Sequence, residues 1–307
     1  MAFFIIFSAG FLNIALELKN WSDKLNDIAA EAVGERLGKL PMSENKPKGE
    51  WPKKQAIQFD LQSSCAAVAE ATSSQVLFAK EADKEWPIAS ITKLMTALVF
   101  LEHNPGWDAV YTITDEDRRE GGRINVFRGE KIKVKDLFNL SLVGSDNTAT
   151  VALVHSIGLS EEDFVKKMNA KAESIGLKHT RFYDAVGLSN DNVSIAREVI
   201  ELARVSLAEE EIQTATLKKK YEFSTVQGRK KTVYNTDDLL NNFPHNGIKI
   251  LGGKTGYTES AGYCFVGKFM DRSGREIISV VLGSPNRDSR FSQTKNLIEW
   301  AYKNFVW

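Results

Sequence analysis

The sequence predicts an α+β fold in which an antiparallel sheet is formed by N- and C-terminal strands, with a helical insertion between them. Strand-like runs occur near both ends of the folded part, whereas helical patterns fill its middle. Of the 307 residues, 43% are hydrophobic, which is enough to build one large core or two modest ones. The 40 basic and 40 acidic side chains cancel, so no net positive charge favours nucleic acid binding and we expect none.

Residues 1–20 are an N-terminal hydrophobic segment that we expect to be a membrane anchor or a signal segment. No charged side chain precedes Glu17. A helix over this run would be about 24 Å long, which is shorter than the roughly 30 Å hydrocarbon core. We favour an uncleaved anchor, because no Lys or Arg precedes the run and the cleavage candidates are poorly placed. A buried helix is less favoured, since no polar stripe interrupts the run.

Residues 21–55 are predicted to form a helical stalk followed by a Pro/Lys-rich linker. Apolar residues from Trp21 to Leu40 recur at helical spacing among charged ones. Prolines 41, 47 and 52 then alternate with lysines in a polar, turn-rich stretch. We therefore predict that the folded domain comprises residues 56–307.

The elements of the folded part follow from local patterns. A hairpin opens the domain, with strands over residues 66–71 and 75–80 around the turn Thr72-Ser73-Ser74. Helical spacing then recurs over residues 90–103, 134–143, 147–157, 161–175 and 194–207. A second hairpin (221–226 and 232–234) is followed by strands over 248–255, 262–271 and 276–283 and a helix over 289–305.

The cysteines and histidines indicate no metal site. Cys65 and Cys264 lie in separate apolar runs and are too few for a disulfide framework or a four-ligand zinc site. Two buried thiols are favoured over one bridging pair. The four histidines have no ligand spacing such as His-x-x-x-His, so a metallopeptidase has no support. We expect no metal and no cofactor.

Three short motifs carry the chemistry: Ser90-Ile91-Thr92-Lys93, Ser145-Asp146-Asn147 and Lys254-Thr255-Gly256. Ser-x-x-Lys also occurs at residues 43–46 and 292–295. The first copy lies in the linker, where a following proline disfavours helix, and the second lies downstream of the third motif. Only Ser90 begins a helix with an apolar face, which places Lys93 one turn away on the same face.

The first two motifs suit acyl transfer through a serine. A serine hydroxyl becomes nucleophilic when a neighbouring base takes its proton, and a neutral lysine can be that base. Ser90 and Lys93 fit this pair. Ser145 can pass a proton to a leaving amine, and Asn147 can hold a peptide carbonyl.

The third motif suits substrate binding. Lys254 and Thr255 can bind a carboxylate by charge and hydroxyl, and Gly256 leaves room for a substrate along the strand. Backbone N–H groups at the start of the Ser90 helix and at Tyr257 can stabilise an oxyanion.

These motifs and their surroundings resemble the serine D-alanyl-D-alanine carboxypeptidases, which are low-molecular-mass penicillin-binding proteins of peptidase family S11. The likeness runs from about Cys65 to Trp300 and includes residues 86–97, 129–130, 184–188, 192–197, 235–237 and 254–258. It implies a β-lactamase/transpeptidase-like fold, acylation of Ser90 by a peptide ending in D-Ala-D-Ala, and hydrolysis of the acyl-enzyme. It also implies peptidoglycan stem peptides as substrates, β-lactams as acylating inhibitors, and a location on the extracytoplasmic face of the cell membrane.

Two departures from this family bear on the interpretation. The middle motif is Ser-Asp-Asn, as in many class A β-lactamases, but no Glu between Asn147 and Lys254 has Asn four residues on, so fast antibiotic hydrolysis is not expected. The chain also stops after the terminal helix, without the C-terminal β-domain and amphipathic anchor of larger members. We therefore expect residues 1–20 to anchor the protein.

Three alternatives remain open. A DD-endopeptidase that cuts peptidoglycan cross-links has the same motifs. A non-catalytic domain that binds the wall or senses antibiotics is disfavoured by the intact motifs. The basic clusters at residues 218–220 and 229–231 flank the second hairpin and indicate a solvated hairpin or, alternatively, contact with anionic wall polymer or lipid.

Overall fold

A computed structural model describes residues 59–122 and 124–305. The predicted anchor (1–20) and the predicted stalk and linker (21–55) lie outside the described residues. Among the residues that are described, every helix is too short or too polar to span a bilayer.

The described part of the chain alternates between strands and helices. The strands are β1 (Cys65–Glu70), β2 (Val76–Lys80), β3 (Trp86–Pro87), β4 (Val110–Thr112), β5 (Lys131–Lys133), β6 (Val193–Ser194), β7 (Lys220–Ser224), β8 (Lys230–Tyr234), β9 (Lys249–Thr258), β10 (Gly262–Met270) and β11 (Glu276–Ser284). The α-helices are α1 (Thr92–Leu101), α2 (Val134–Val143), α3 (Asn147–His155), α4 (Glu161–Ser174), α5 (Ala196–Ser206), α6 (Glu210–Thr216), α7 (Leu239–Asn242) and α8 (Arg287–Asn304). A 3₁₀ turn, Ala89–Ile91, precedes α1.

The central sheet has five strands in the order β2-β1-β11-β10-β9, and its neighbouring strands are antiparallel. Alternate residues of β1 face opposite sides of the sheet. Cys65 and Ala67 belong to the core that includes α1 and α5, whereas Ala66 and Val68 belong to the core that includes α8. Both faces of the sheet are therefore covered by helices.

This architecture confirms the predicted α+β class, because N- and C-terminal strands share one sheet and helices form the insertion. Both cysteines are free and buried, as expected for thiols used as small hydrophobic side chains. The largest boundary error in the central sheet is at β9, which does not end at Thr255 but continues to Thr258. Helix α6 was missed, since its seven residues are too few to show a helical period.

Candidate active site

Ser90 lies in the 3₁₀ turn that leads into α1, and Lys93 lies in the first turn of that helix. The Lys93 Nζ atom donates a hydrogen bond to Ser90 Oγ over 3.0 Å. The residue before the serine, Ala89, has a φ of +46°, a region that non-glycine residues rarely adopt. The turn thus holds the serine hydroxyl over the lysine at some cost in backbone strain.

Lys93 is fully buried, and its ammonium position is defined by two further acceptors. Its Nζ atom lies 2.7 Å from Asn147 Oδ1 and 2.6 Å from the carbonyl oxygen of Val186. Burial lowers the pKa of Lys93 to about 7, although the carboxylates of Asp184 and Asp146 act in the opposite direction. At neutral pH a substantial fraction of this lysine is therefore the free amine, which can accept a proton.

The second motif forms the start of α3. Ser145 has a φ of +56°, and Asp146 is the N-cap of the helix. The Asp146 carboxylate accepts hydrogen bonds from the backbone N–H of Ala149 (2.8 Å) and from the backbone and side-chain nitrogens of Asn125 (2.7 and 2.9 Å). These bonds satisfy a buried carboxylate and hold Ser145 in its strained conformation. The middle residue of the motif therefore has a structural role, and its carboxylate also raises the pKa of Lys93.

Lys254 lies within β9 and joins the second motif to the third. Its Nζ atom donates to Ser145 Oγ over 2.8 Å and to the Thr255 carbonyl over 3.1 Å. Burial lowers the pKa of Lys254 well below its ordinary value, and the positive charges of Lys93 and Arg290 lower it further. A bound carboxylate would favour the charged form again, because opposite charges at short range stabilise each other.

Strand β9 passes very close to the Ser90 turn. A Cβ atom at Gly256 would lie 2.8 Å from the Ile88 carbonyl oxygen and 3.2 Å from the Ser90 backbone nitrogen. Only glycine allows this approach. The next residue, Tyr257, follows on the same edge strand, and its side chain is 53% exposed at the cleft.

Two residues beside β9 complete this wall, and sequence reasoning assigned neither of them to the site. Thr236 shares a hydrogen bond of 2.6 Å with Thr255 through their hydroxyls. Arg290, on α8, donates to the Gly256 carbonyl over 3.2 Å and is 5% exposed. A signal for Arg290 did exist, since it precedes Thr294, Leu297 and Ile298 at helical spacing and so falls on the buried face of α8.

A loop after α4 closes the other side of Ser90. The Asp184 carboxylate accepts hydrogen bonds from four backbone N–H groups, those of residues 186–189. Gly187 has a φ of +84°, and a Cβ atom there would lie 2.0 Å from the Ala89 carbonyl oxygen. Asn192 donates to Thr92 Oγ1 over 3.1 Å, which ties the loop to α1. The loop thus presents the Val186 carbonyl to Lys93.

The structure places seven of the predicted residues in one constellation. Direct hydrogen bonds connect Ser90 and Asn147 to Lys93 and connect Ser145 to Lys254, while Thr255 and Gly256 continue β9 beside the serine. They adjoin a cleft of about 1150 Å³, which is lined in addition by residues of the β7–β8 hairpin and of α7 and α8. The cleft residues contributed by the hairpin, α7 and α8 belong to no motif, and the sequence analysis did not predict them.

A serine hydrogen-bonded to a buried lysine at a helix start, facing the edge strand of an antiparallel sheet, defines a serine-type peptidase of the β-lactamase/transpeptidase-like class. Residues 52–286 match the model of peptidase family S11, D-alanyl-D-alanine carboxypeptidase. The chain belongs to this family, and it is a serine-type D-Ala-D-Ala peptidase.

Known proteins agree with this assignment. The chain is similar to the D-alanyl-D-alanine endopeptidase of Haemophilus influenzae, with 36% identity over 74% of this chain and 78% of that protein. It is 30% identical to a D-alanyl-D-alanine carboxypeptidase of Bacillus subtilis, over 82% of this chain and 65% of that protein. The crystal structure of the DD-transpeptidase of Streptomyces K15 superposes with a TM-score of 0.74 at 26% identity, covering 81% of this chain and all of that one (100%). The predicted family and fold are confirmed.

Proposed function

We propose that the chain is a DD-carboxypeptidase that removes the terminal D-alanine from peptidoglycan stem pentapeptides through an acyl-enzyme on Ser90. The observation that carries this proposal is the 3.0 Å contact between Ser90 Oγ and a buried Lys93 whose pKa is lowered to about 7. A neutral amine at this distance can take the proton of the hydroxyl as it attacks.

Acylation then follows from the geometry. Ser90 Oγ attacks the carbonyl carbon of the penultimate D-alanine, and its proton passes to Lys93 Nζ. The oxyanion is stabilised by the backbone N–H groups of Ser90 and Tyr257 across the narrow gap at Gly256. Asn147 donates one N–H of its Nδ2 atom to the Gly121 carbonyl over 3.1 Å, and in this proposal its second N–H holds the substrate's preceding peptide carbonyl.

Release of D-alanine uses the second pair. The C–N bond breaks as the leaving amine gains a proton from Ser145 Oγ. Lys93, which took the proton of Ser90, returns it to Ser145 and is neutral again. Lys254 and Thr255 bind the carboxylate of the departing residue. Water then attacks the ester, with Lys93 as the base, and gives a shortened stem peptide and free Ser90.

We propose that β-lactams acylate the same serine and that the domain acts outside the cytoplasmic membrane, where peptidoglycan lies. Residues 1–20 would tether it there. Fractionation of cells that carry the full chain tests the tether: release of the protein by salt alone, without detergent, would contradict it.

A DD-endopeptidase is the second candidate. The specific observation that favours it is the 36% identity to the endopeptidase of Haemophilus influenzae, which exceeds the 30% identity to the carboxypeptidase of Bacillus subtilis. Both reactions break the bond after a D-alanine, so the acyl-enzyme chemistry above serves either.

Mass spectrometry of products distinguishes them. The full-length protein in detergent is incubated with pentapeptide monomers and with cross-linked dimers, and Ser90→Ala is the matched control. Loss of one D-alanine from monomers, absent in the control, establishes the carboxypeptidase, whereas conversion of dimers to monomers establishes the endopeptidase. If folded wild type and Ser90→Ala both leave all substrates intact, the catalytic proposal is wrong.

A further inference from the structure

A surface away from the cleft combines exposed apolar side chains with basic ones. It consists of residues 124–131, which lead into β5, and of residues 225–231, which form the tip of the β7–β8 hairpin; we call it the hairpin face. Of the eight large apolar or aromatic side chains that are exposed in the described residues, three line the cleft and three lie on this face. Those of the face are Ile124, Phe127 and Val226, which are 38%, 56% and 54% exposed. Apolar side chains that cluster at a surface, rather than scatter singly, indicate an interaction surface.

The two segments of the hairpin face are bonded to each other. The Val226 backbone N–H donates to the Lys131 carbonyl over 2.8 Å. The Lys231 Nζ atom donates to the Asn125 carbonyl over 2.6 Å and lies 4.8 Å from the centre of the Phe127 ring. The exposed apolar side chains of both segments therefore belong to one continuous surface.

The hairpin face is strongly basic, although the whole chain has no net charge. Its two segments contain five basic side chains and one acidic one, a net charge of +4 (5 − 1), and they include the basic cluster 229–231. The acidic side chain, Glu130, is buried and pairs with Lys231 and, over 3.4 Å, with Arg229. The positive charge of the face thus exceeds what its own carboxylate neutralises.

Two exposed lysines of the face are available to an anionic partner. Within the described part of the chain, Lys131 and Lys230 take part in no ion pair. Arg128 lies 2.7 Å from Asp115, but both of these side chains are exposed, so water screens the pair and a stronger anion can compete for the arginine. Free positive charges beside exposed apolar side chains match a partner that is anionic and also has an apolar interior.

The apolar side chains decide which anionic partner the face fits. Charge alone suits a hydrated wall polymer as well as a bilayer of anionic lipids. A hydrated polymer offers no apolar medium in which Phe127 and Val226 can be buried, whereas the boundary between lipid headgroups and acyl chains does. The predicted anchor, residues 1–20, would keep the domain close to such a bilayer. Tethering raises the effective concentration of lipid, so a weak contact is sufficient.

We propose that the hairpin face docks on the anionic lipid surface of the membrane, with Phe127 and Val226 inserted at headgroup level and Lys131 and Lys230 against lipid phosphates. This inference uses one part of the proposed function, the location of the domain beside the membrane, and none of its acyl-enzyme chemistry. Residues 232–234 of the same hairpin line the cleft. Docking would therefore fix the direction in which the cleft faces relative to the bilayer.

The test uses the full-length protein reconstituted in vesicles, with an environment-sensitive fluorophore attached to Val226→Cys. The native Cys65 and Cys264 are buried, and unsubstituted protein checks that they stay unlabelled. In vesicles of phosphatidylglycerol and phosphatidylcholine we expect a blue-shifted emission that spin-labelled lipid quenches, and neither effect in phosphatidylcholine alone. The matched position is Ser273→Cys, in the exposed turn between β10 and β11, which should stay unquenched in both.

The part played by charge is measured in the Val226→Cys background. Lys230→Gln is compared with Lys178→Gln, because both lysines are exposed and neither takes part in an ion pair among the described residues. One basic residue at an anionic lipid surface contributes about fivefold to binding, so Lys230→Gln should lower the ratio of docked to undocked probe about fivefold. Lys178→Gln should leave this ratio within about twofold. Raising the salt from about 0.1 M to about 0.5 M should lower the ratio as well.

Several results would overturn the proposal. Equal quenching at residues 226 and 273, or equal quenching at residue 226 in the two kinds of vesicle, would show that the face has no specific contact with anionic lipid. A probe that stays unquenched in both vesicles would do the same, and a shift of its emission by dextran sulfate alone would assign the face to an anionic polymer instead. Product analysis on the same samples reports the peptidase separately, so the docking surface can fail while the proposed function stands.

Discussion

Lowering the pH below 7 is expected to slow acylation of Ser90 progressively, because Lys93 must be neutral to take the proton. Burial lowers the pKa of this lysine to about 7, whereas an ordinary lysine titrates at 10.5. At pH 7 about half of the Lys93 side chains are free base, compared with about one in 3000 for an ordinary lysine. The buried position therefore increases the available base by about a thousandfold.

The expected pH profile follows from this titration. Below the pKa the neutral fraction falls about tenfold per pH unit, so acylation at pH 5 should be about one hundredth of its plateau above pH 8. The second-order rate constant for acylation by a fluorescent penicillin, measured from pH 4.5 to 9, gives the midpoint. Circular dichroism at each pH shows whether the protein remains folded.

Asp184→Asn provides a directional control. The Asp184 carboxylate raises the pKa of Lys93, so removing its charge should move the midpoint of the acid limb to lower pH. The amide retains one oxygen to accept from the loop N–H groups. A midpoint at pH 9 or above, a flat profile from pH 5 to 8, or a shift to higher pH in Asp184→Asn would each refute the assignment of Lys93 as the base.

Three further predictions concern stability, each measured by chemical denaturation. Gly187→Ala places a Cβ atom 2.0 Å from a backbone oxygen at a φ of +84°. It should therefore lower the free energy of unfolding by at least about 2 kcal/mol and remove most acylation of Ser90. Its control is Gly158→Ala, at a φ of +77° with open space around it, which should lower the free energy of unfolding by only about 1 kcal/mol. Equal losses in the two variants would contradict the steric argument. Asp146→Ala removes a buried N-cap and should lower the free energy of unfolding by about 2–4 kcal/mol. The exposed N-cap variant Ser160→Ala should lower it by about 1 kcal/mol. If Asp146→Ala loses no more than Ser160→Ala, the cap does not hold the motif. Burial raises the pKa of Asp237 from 3.8 to about 7. As the pH rises between these two values, Asp237 ionises in the unfolded state before it ionises in the folded state. The free energy of unfolding therefore falls over this pH range. The free energy of unfolding of Asp237→Asn should therefore exceed that of wild type by about 1–3 kcal/mol at pH 8 and equal it near pH 4. A stabilisation that is independent of pH would contradict ionisation of Asp237 as the cause.

The hydrophobic period predicted the bounds of helices and strands well where buried and exposed side chains alternate regularly along the chain. Helix α2 begins and ends at the predicted residues 134 and 143, and the strands of the central sheet fall within a few residues of their predicted ranges. The same reasoning failed at β9, where the predicted strand ended at Thr255. Gly256 is instead inside the strand, where a side chain would collide with the Ser90 turn.

The motif residues could be predicted from the sequence, but the groups that contact them or line the cleft around them could not. Lys93 is held by the Val186 carbonyl, and a backbone oxygen leaves no trace in residue type. Arg290 and Lys219 reach the cleft from α8 and from the start of a hairpin, more than 100 residues away from Ser90 in sequence. Their positions depend on how the sheet and insertion pack together, which local patterns do not determine.

The place of β1 in the central sheet has a consequence for how the chain matures. This strand lies between β2 and β11, and Cys65 pairs with Leu282, 217 residues later (282 − 65). Contacts at such separation form slowly, because a long loop must close before they are made. A chain that emerges with its N-terminus first exposes β1 long before β11 exists. The sheet, and with it the cleft beside β9, therefore assembles only after nearly the whole domain has been released, so translation or export is almost complete before the peptidase can act.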